Sequence, residues 1–230
     1  MSSGPVDLVF LGCGAAATLH SRTLRGWPDV RRHYASRDGG RAAAMARRWS
    51  GAGHFSGYDA ALADPAIDVA FVATPTALHL PLTLAALEHG KHVIVEKPAF
   101  LDAGELDQAV AGASRAGRHL LVAENYPYKP LARVLRTLVE ERALGDILFI
   151  HLNALKRQRT GDWRDDPALA GGGALFEGGI HWISLLTTIG LTVAGASAVP
   201  AGPDDRARQR SALLTLRYVV GAVATLAYSW

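Results

Sequence analysis

Four groups of residues in this chain have types and spacings suited to chemistry. The first is Gly12-Cys13-Gly14-Ala15-Ala16-Ala17, which follows the apolar run Val6–Leu11 and opens a helix-forming stretch. This pattern is a dinucleotide fingerprint with a small residue in the third glycine position. Gly12 would make the tight turn and Gly14 would let the backbone approach a pyrophosphate. The unbonded N–H groups from Ala15 and Ala16 onward would face the phosphate charge. The second group, Ser36 and Arg37, stands about 20 residues beyond the loop, where a carboxylate commonly holds the ribose 2′-hydroxyl. A hydroxyl beside a planar guanidinium suits a 2′-phosphate, so the expected cofactor is NADP. NAD is the alternative, if Arg37 is only solvated and Asp38 is the ribose ligand.

The third group is Glu96-Lys97-Pro98, at the end of an apolar run. The chain has 24 basic residues and only four of them are lysines, so a lysine here departs from the compositional default. Its compact charge suits steering a substrate hydroxyl or relaying a proton, with Glu96 pairing to it or touching the cofactor. In the fourth group, Glu177 and His181 are four apart and would share one face of a helix. An imidazole is suited to general acid/base work near neutral pH, and Glu177 would orient rather than transfer. Gly178 and Gly179 are poor helix formers, which makes sense if a ring must come close to the backbone. No HExxH, CxxC or carboxylate cluster is present, so no metal site is expected, and no G-x-S-x-G elbow suggests an acyl-enzyme.

Positioning these groups requires alternating strands and helices. Strand-like runs at Val6–Leu11, Val30–Ser36, Val69–Ala73, His92–Glu96 and Leu120–Ala123 alternate with helix-forming stretches at Ala15–Arg25, Gly40–Trp49, Ala77–Glu88 and Ala103–Ala116. Several strands are continuously apolar, as parallel strands covered on both faces are. The expected class is α/β: a Rossmann dinucleotide-binding domain over residues 1–123. From residue 124 to 230 an α+β domain with a mostly antiparallel sheet is expected. It comprises a helix at Leu131–Arg142, an extended run at Ile147–Leu155, a helix at Ala174–Ile189, and strands at Ser211–Val220 and Ala222–Trp230 around Gly221.

Several motifs in order carry a family resemblance. Ala73-Thr74-Pro75-Thr76-Ala77-Leu78-His79, Gly90-Lys91-His92 and Ile94-Val95-Glu96-Lys97-Pro98 are followed by Glu124-Asn125-Tyr126, Gly145-Asp146-Ile147 and Trp163-Arg164-Asp165-Asp166-Pro167. Gly171-Gly172-Gly173 then leads to Phe176-Glu177-Gly178-Gly179-Ile180-His181. Together they resemble the Gfo/Idh/MocA oxidoreductases over essentially the whole chain. The resemblance implies hydride transfer between a nicotinamide and a sugar, keto-sugar or cyclitol. It implies that Lys97, His181 and Glu177 are catalytic, and that Thr74, Pro75, His79, Glu96 and Lys97 join the loop residues at the cofactor. Tyr126, Tyr128 and Trp163 either line a sugar pocket or simply pack. Glu177 stands where the family commonly has Asp, and Ser184 where Asp is frequent. Relatives of two other kinds, NAD-dependent glycoside hydrolases and non-catalytic cofactor sensors, are the alternative readings.

Bulk properties narrow the partners. Hydrophobic residues are 49% and charged residues 20%, with a net charge of +3, and the basic residues are dispersed rather than gathered in a stripe. Nucleic acid is therefore not an expected partner. No apolar run reaches about 18 residues, so no membrane partner is expected either. The N-terminus lacks a signal-peptide pattern, and the lone Cys13 cannot form an internal disulfide, so the expected location is cytoplasmic. The chain is shorter than the family's usual length, and its last strands appear without anything to pair or cover them. It is therefore expected to be a fragment of a longer protein, or a homo-oligomer through the C-terminal sheet.

Overall fold

A computed structural model describes residues 4–158, 161–202 and 209–230. The chain divides into two compact units, Met1–Ala123 and Glu124–Trp230. In the first unit, β1 (Val6–Leu11), β2 (Val30–Ser36), β3 (Gly53–Ser56), β4 (Val69–Val72), β5 (His92–Val95) and β6 (Leu120–Val122) form one sheet. Their spatial order is β3-β2-β1-β4-β5-β6 and every pairing is parallel. The connecting helices are α1 (Ala15–Leu24), α2 (Gly39–Trp49), α3 (Tyr58–Ala63), α4 (His79–Glu88) and α5 (Ala103–Ala116).

Two apolar clusters hold this sheet. Val9, Leu11, Val72, Val93 and Val95 belong to one, and Leu8, Phe10, Tyr34, Trp49 and Phe71 to the other. Successive residues of β1 thus enter different cores, which is why that strand reads as continuously apolar. The strand order reverses between β1 and β4, and the crevice beyond their carboxyl ends is where sheets of this type take ligands.

In the second unit, α6 (Pro130–Glu140), β7 (Phe149–Leu155), α7 (Pro167–Ala170), α8 (Ile180–Thr187), β8 (Val193–Ala201), β9 (Ser211–Tyr218) and β10 (Val223–Ser229) follow in order. The sheet runs β7-β10-β9-β8, with β7 and β10 parallel and the other two pairings antiparallel. Leu214, Leu216, Tyr218, Ala224, Leu226 and Tyr228 alternate onto one face and pack with Ala174 and Leu186. This corrects the expectation that the last strands lack pairing and cover. β9 and β10 are the interior strands, each paired on both sides, and one face of the sheet is covered. Among the described strands, β7 and β8 stand at the edges.

The helix expected at Ala174–Ile189 is also not continuous. Leu175–Gly179 forms a π-helical turn before α8 begins, a feature that often marks functional positions. Gly178, within this turn, leaves room for two side chains of the last strand's end. A Cβ there would lie 3.0 Å from the Trp230 Nε1 and closer still to the Tyr228 hydroxyl. The ring that approaches these glycines is thus the protein's own.

Candidate active site

In the first unit the glycine loop turns directly off β1. Gly12 has φ +110, a conformation side chains rarely adopt, and its N–H donates to the Ala35 carbonyl at 3.0 Å. A Cβ on Gly12 would lie 2.5 Å from the Ala73 carbonyl oxygen. Gly14 differs: its φ of −95 suits any residue, and a Cβ there would meet nothing within 4 Å. Gly14 is the N-cap of α1, and no side chain caps the first turn, which begins with Ala15 and Ala16. The helix therefore presents N–H groups and its positive end beside a backbone that a large anion can approach. Thr74 Oγ1 is buried without a hydrogen-bond partner in the structure, and its methyl lies 3.3 Å from the Cβ position of Gly12. An uncapped helix start, an open glycine and an orphaned hydroxyl fit a dinucleotide diphosphate.

At the end of β2, Ser36 Oγ accepts from the Asp38 N–H at 3.1 Å, and Arg37 is exposed. Asp38 caps α2: its Oδ1 accepts from Gly40 N at 2.9 Å and Arg41 N at 3.2 Å. Asp38 is thus committed to a helix start, as Asp commonly is at this position. Burial raises the Tyr58 hydroxyl above the usual tyrosine value, and the charges of Arg37 and Arg41 oppose that shift. Burial likewise raises the Cys13 thiol, again opposed by Arg41. Arg41 therefore lies near both the glycine loop and the end of β2. Only its spacing of four from Arg37, at the start of a helix, could have signalled it in the sequence.

Beyond β5, Glu96 is tied down from two sides. Its Oε1 pairs with His20 Nε2 at 2.6 Å, and its Oε2 accepts from the Lys97 N–H at 3.0 Å. His20, on α1, also packs its ring against Phe71 with centroids 4.5 Å apart. Lys97 is half-buried, and the Lys97–Pro98 bond is cis. Pro75 is the N-cap of the short 3₁₀ turn Thr76–Leu78.

His79 requires a correction. Its residue is only 1% exposed, with Nδ1 2.9 Å from the Pro98 carbonyl and Nε2 3.0 Å from that of Thr74. With both ring nitrogens turned to backbone, it braces the Thr74 and Pro98 segments from behind instead of offering a contact to a cofactor. Burial pushes its imidazole below the usual value, offset in part by the carbonyls of Thr74, Ala99 and Pro98 and by the charge of Glu96.

The second unit brings a different set together. His181, in the first turn of α8, places Nδ1 2.7 Å from Glu124 Oε2 and 2.9 Å from Oε1. Its ring stacks on Tyr126 with centroids 4.7 Å apart and planes 15° off parallel. Lys129 Nζ sits 3.5 Å from the centroid of the same Tyr126 ring, and Trp182 meets that ring edge-on at 5.3 Å. Tyr126 is thus contacted by His181, Lys129 and Trp182 together. Among the described residues, no hydrogen bond reaches His181 Nε2.

Glu177 is only 7% exposed, and its Oε1 accepts from Arg164 Nε at 3.0 Å. Arg164 also reaches Asp162 at 2.6 Å and stacks over Trp163, its guanidinium carbon 4.6 Å from the ring centroid. Glu177 and His181, expected on one helix face, are thus held by different partners, Arg164 for the one and Glu124 for the other. Tyr128 is 71% exposed. The Ser184 carbonyl accepts from Thr188 Oγ1 at 2.6 Å within the last turn of α8. Glu124, 57 residues before His181, was not distinguishable from sequence as its partner. Among the described residues no group of three or more metal-ligating side chains is gathered, and no helix is long and apolar enough to cross a membrane.

Comparison with known proteins agrees with this architecture. Residues 6–124 match the oxidoreductase family with an NAD-binding Rossmann fold, and residues 132–230 match the Gfo/Idh/MocA C-terminal domain. Levoglucosan dehydrogenase of Pseudarthrobacter phenanthrenivorans is 31% identical over 191 residues, covering 76% of this chain and 47% of that protein. D-xylose 1-dehydrogenase (NADP(+)) 2 of Haloferax volcanii is 34% identical over 143 residues, covering 61% of this chain and 44% of that protein. GenD2 from gentamicin A biosynthesis, solved in complex with NAD, superposes with a TM-score of 0.91 at 25% identity. That match covers 100% of this chain and 67% of the other. The chain spans about half the length of the curated relatives it matches. A fingerprint loop on a six-stranded parallel sheet, followed by a matching second domain, makes this chain a member of the Gfo/Idh/MocA oxidoreductase family.

Proposed function

We propose that this chain belongs to an NADP(H)-preferring dehydrogenase or reductase acting on a secondary hydroxyl or carbonyl of a sugar or cyclitol. The observation that carries the cofactor preference is the end of β2. There Ser36 and the exposed Arg37 replace an acid, Asp38 is engaged as a helix cap, and Arg41 adds a second guanidinium nearby. Two planar cations and a hydroxyl favour a phosphate monoester over a bare ribose. The substrate class is supported by the sugar dehydrogenases among the relatives.

When bound, the nicotinamide supplies the acceptor or donor of the hydride. The chain's residues handle the rest. Oxidation of an alcohol releases a proton from oxygen, and His181 Nε2 takes it as general base; in reduction the same atom returns it. In the first unit, the Lys97 ammonium supplies positive charge just beyond the end of β5. Glu177, fixed by Arg164, orients rather than transfers.

Fluorescence titration with NADPH and NADH, on the starting protein and on Arg37→Ala and Arg41→Ala, tests the preference. Each substitution is expected to weaken NADPH binding and leave NADH nearly unchanged. Tighter NADH binding by the starting protein would refute the assignment. Turnover against a panel of aldoses, keto-sugars, levoglucosan and inososes tests the substrate class.

A further inference from the structure

We propose that Glu124 is a positioning residue: it fixes His181 as the Nδ1–H tautomer and so makes Nε2 the atom that exchanges protons. An ionised carboxylate only accepts hydrogen bonds, so a ring nitrogen held by both of its oxygens at 2.7 and 2.9 Å must carry the hydrogen. The proton on one imidazole nitrogen decides what the other can do, and here it leaves a lone pair at Nε2. Glu124 is itself aimed by the backbone, because its Oε1 also accepts from the Tyr126 N–H at 2.8 Å.

The tyrosine whose amide aims the carboxylate is the one whose ring stacks on His181, and the same ring also holds the Lys129 ammonium. One short segment, residues 124–129, therefore sets both the proton position and the plane of the imidazole. A carboxylate beyond a histidine is a familiar way of choosing a tautomer, and losing it while geometry stays intact costs up to about 10⁴-fold in turnover.

The kinetic consequence rests on the function proposed above, whereas the tautomer does not. Histidine ¹⁵N-labelled full chain, with His181→Gln used to assign the signal, reports the tautomer directly by long-range proton–nitrogen correlation. The expected result is Nδ1 protonated and Nε2 bare. Glu124→Leu removes the acceptor, and the ring is expected to move its proton to Nε2, the form an unconstrained imidazole favours. Turnover on whichever panel substrate proves active then falls about 10²–10⁴-fold while KM changes little.

Glu124→Gln keeps the single oxygen, Oε1, that both the ring and the Tyr126 amide reach. It is expected to keep the Nδ1–H form and hold turnover within about tenfold, a loss of at most one order of magnitude. A merely structural ion pair predicts instead that Glu124→Gln and Glu124→Leu lose turnover alike, and that outcome overturns the proposal. So does a proton on Nε2 in the starting protein, or an Nδ1–H signal that survives Glu124→Leu. If Glu124→Leu does not fold, the tautomers of the starting protein and of Glu124→Gln still decide. A starting protein with the Nδ1–H form but no turnover on any panel substrate refutes the dehydrogenase reading and supports the tautomer assignment. An active protein carrying Nε2–H does the reverse.

Discussion

Gly12 and Gly14 are two residues apart in one loop, yet alanine at each should fail in different ways. At Gly12 the φ of +110 strains any L side chain by about 1–3 kcal/mol. The new methyl would also lie 2.5 Å from the Ala73 carbonyl oxygen and 2.9 Å from its carbon. That backbone cannot easily retreat, because the Ala73 N–H is bonded to the Leu11 carbonyl at 2.9 Å. Overpacking of this kind adds roughly 1–3 kcal/mol, for a total of about 2–6 kcal/mol. The expected fall in Tm is on the order of 10 °C.

At Gly14 the backbone is already extended, and a Cβ there meets nothing within 4 Å. Stability should change by less than about 1 kcal/mol, since a stiffer unfolded chain offsets a poorer N-cap. The methyl instead occupies the approach to the helix start, and cofactor affinity should fall about 10–100-fold, equivalent to about 1.4–2.8 kcal/mol. Thermal melts by circular dichroism and fluorescence titration with NADPH separate the two effects. Gly12→Ala melting like the starting protein, or Gly14→Ala binding NADPH undiminished, would refute this division of labour.

Other consequences can be measured in the same way. Lys97→Ala and His181→Ala should each lower turnover about 10²–10⁴-fold while cofactor still binds by fluorescence; near-normal turnover removes the residue from the mechanism. Gly178→Ala forces a methyl onto the Tyr228 hydroxyl and should cost about 1–3 kcal/mol in chemical denaturation, with Tyr228→Phe restoring part of it. His79 resists protonation in the folded state, so its share of stability is whole above about pH 6.5 and lost as pH falls below it. Melts from pH 7.5 to 5 should show that loss, His79→Phe should flatten it, and a Tm that rises on acidification would reverse the assignment. The uncovered face of the second sheet carries Phe149, 81% exposed, and Leu155, Val199 and Leu213; we propose that a second copy covers it. Light scattering should then give a dimer that Phe149→Asp dissociates, and a monomer at tens of micromolar would sink the idea.

Much of the first unit was legible because its signals are local. Val6–Leu11 running into Gly12 and Gly14 announces strand, turn and helix within a few residues, and both ends of that strand fall where its apolar run does. β3 and α3 went unread because Gly53–Ser56 and Tyr58–Ala63 are too short to show a period. β8 was hidden by composition: Val193–Ala201 is mostly Ala, Gly, Ser and Pro, and it is held extended by its pairing with β9. At the site, the chemistry-bearing types could be named, but their partners could not. His181 meets Glu124 across 57 positions, and Glu177 meets Arg164 across 13. Nor does the sequence tell whether a histidine after Thr-Pro points at a ligand or, like His79, into the backbone behind it. A helical pattern alone reads straight through the π-turn ahead of α8, and the Tyr228 and Trp230 side chains that crowd Gly178 there lie far along the chain.

The second sheet imposes an order on its own assembly. β7 pairs with β10, Phe149 opposite Val223, and among the described strands it has no other neighbour. While the chain is being synthesised, β7 therefore emerges long before its partner and must wait with Ile150 and Leu152, which pack in the finished core, uncovered. Closing so long a loop in parallel register is slow compared with forming the β9–β10 hairpin, whose turn spans only a few residues. The hairpin should thus form first and serve as the template onto which β7 docks. Damage to β10 would then not fray an edge; it would cut β7 off from the β8–β9 pair.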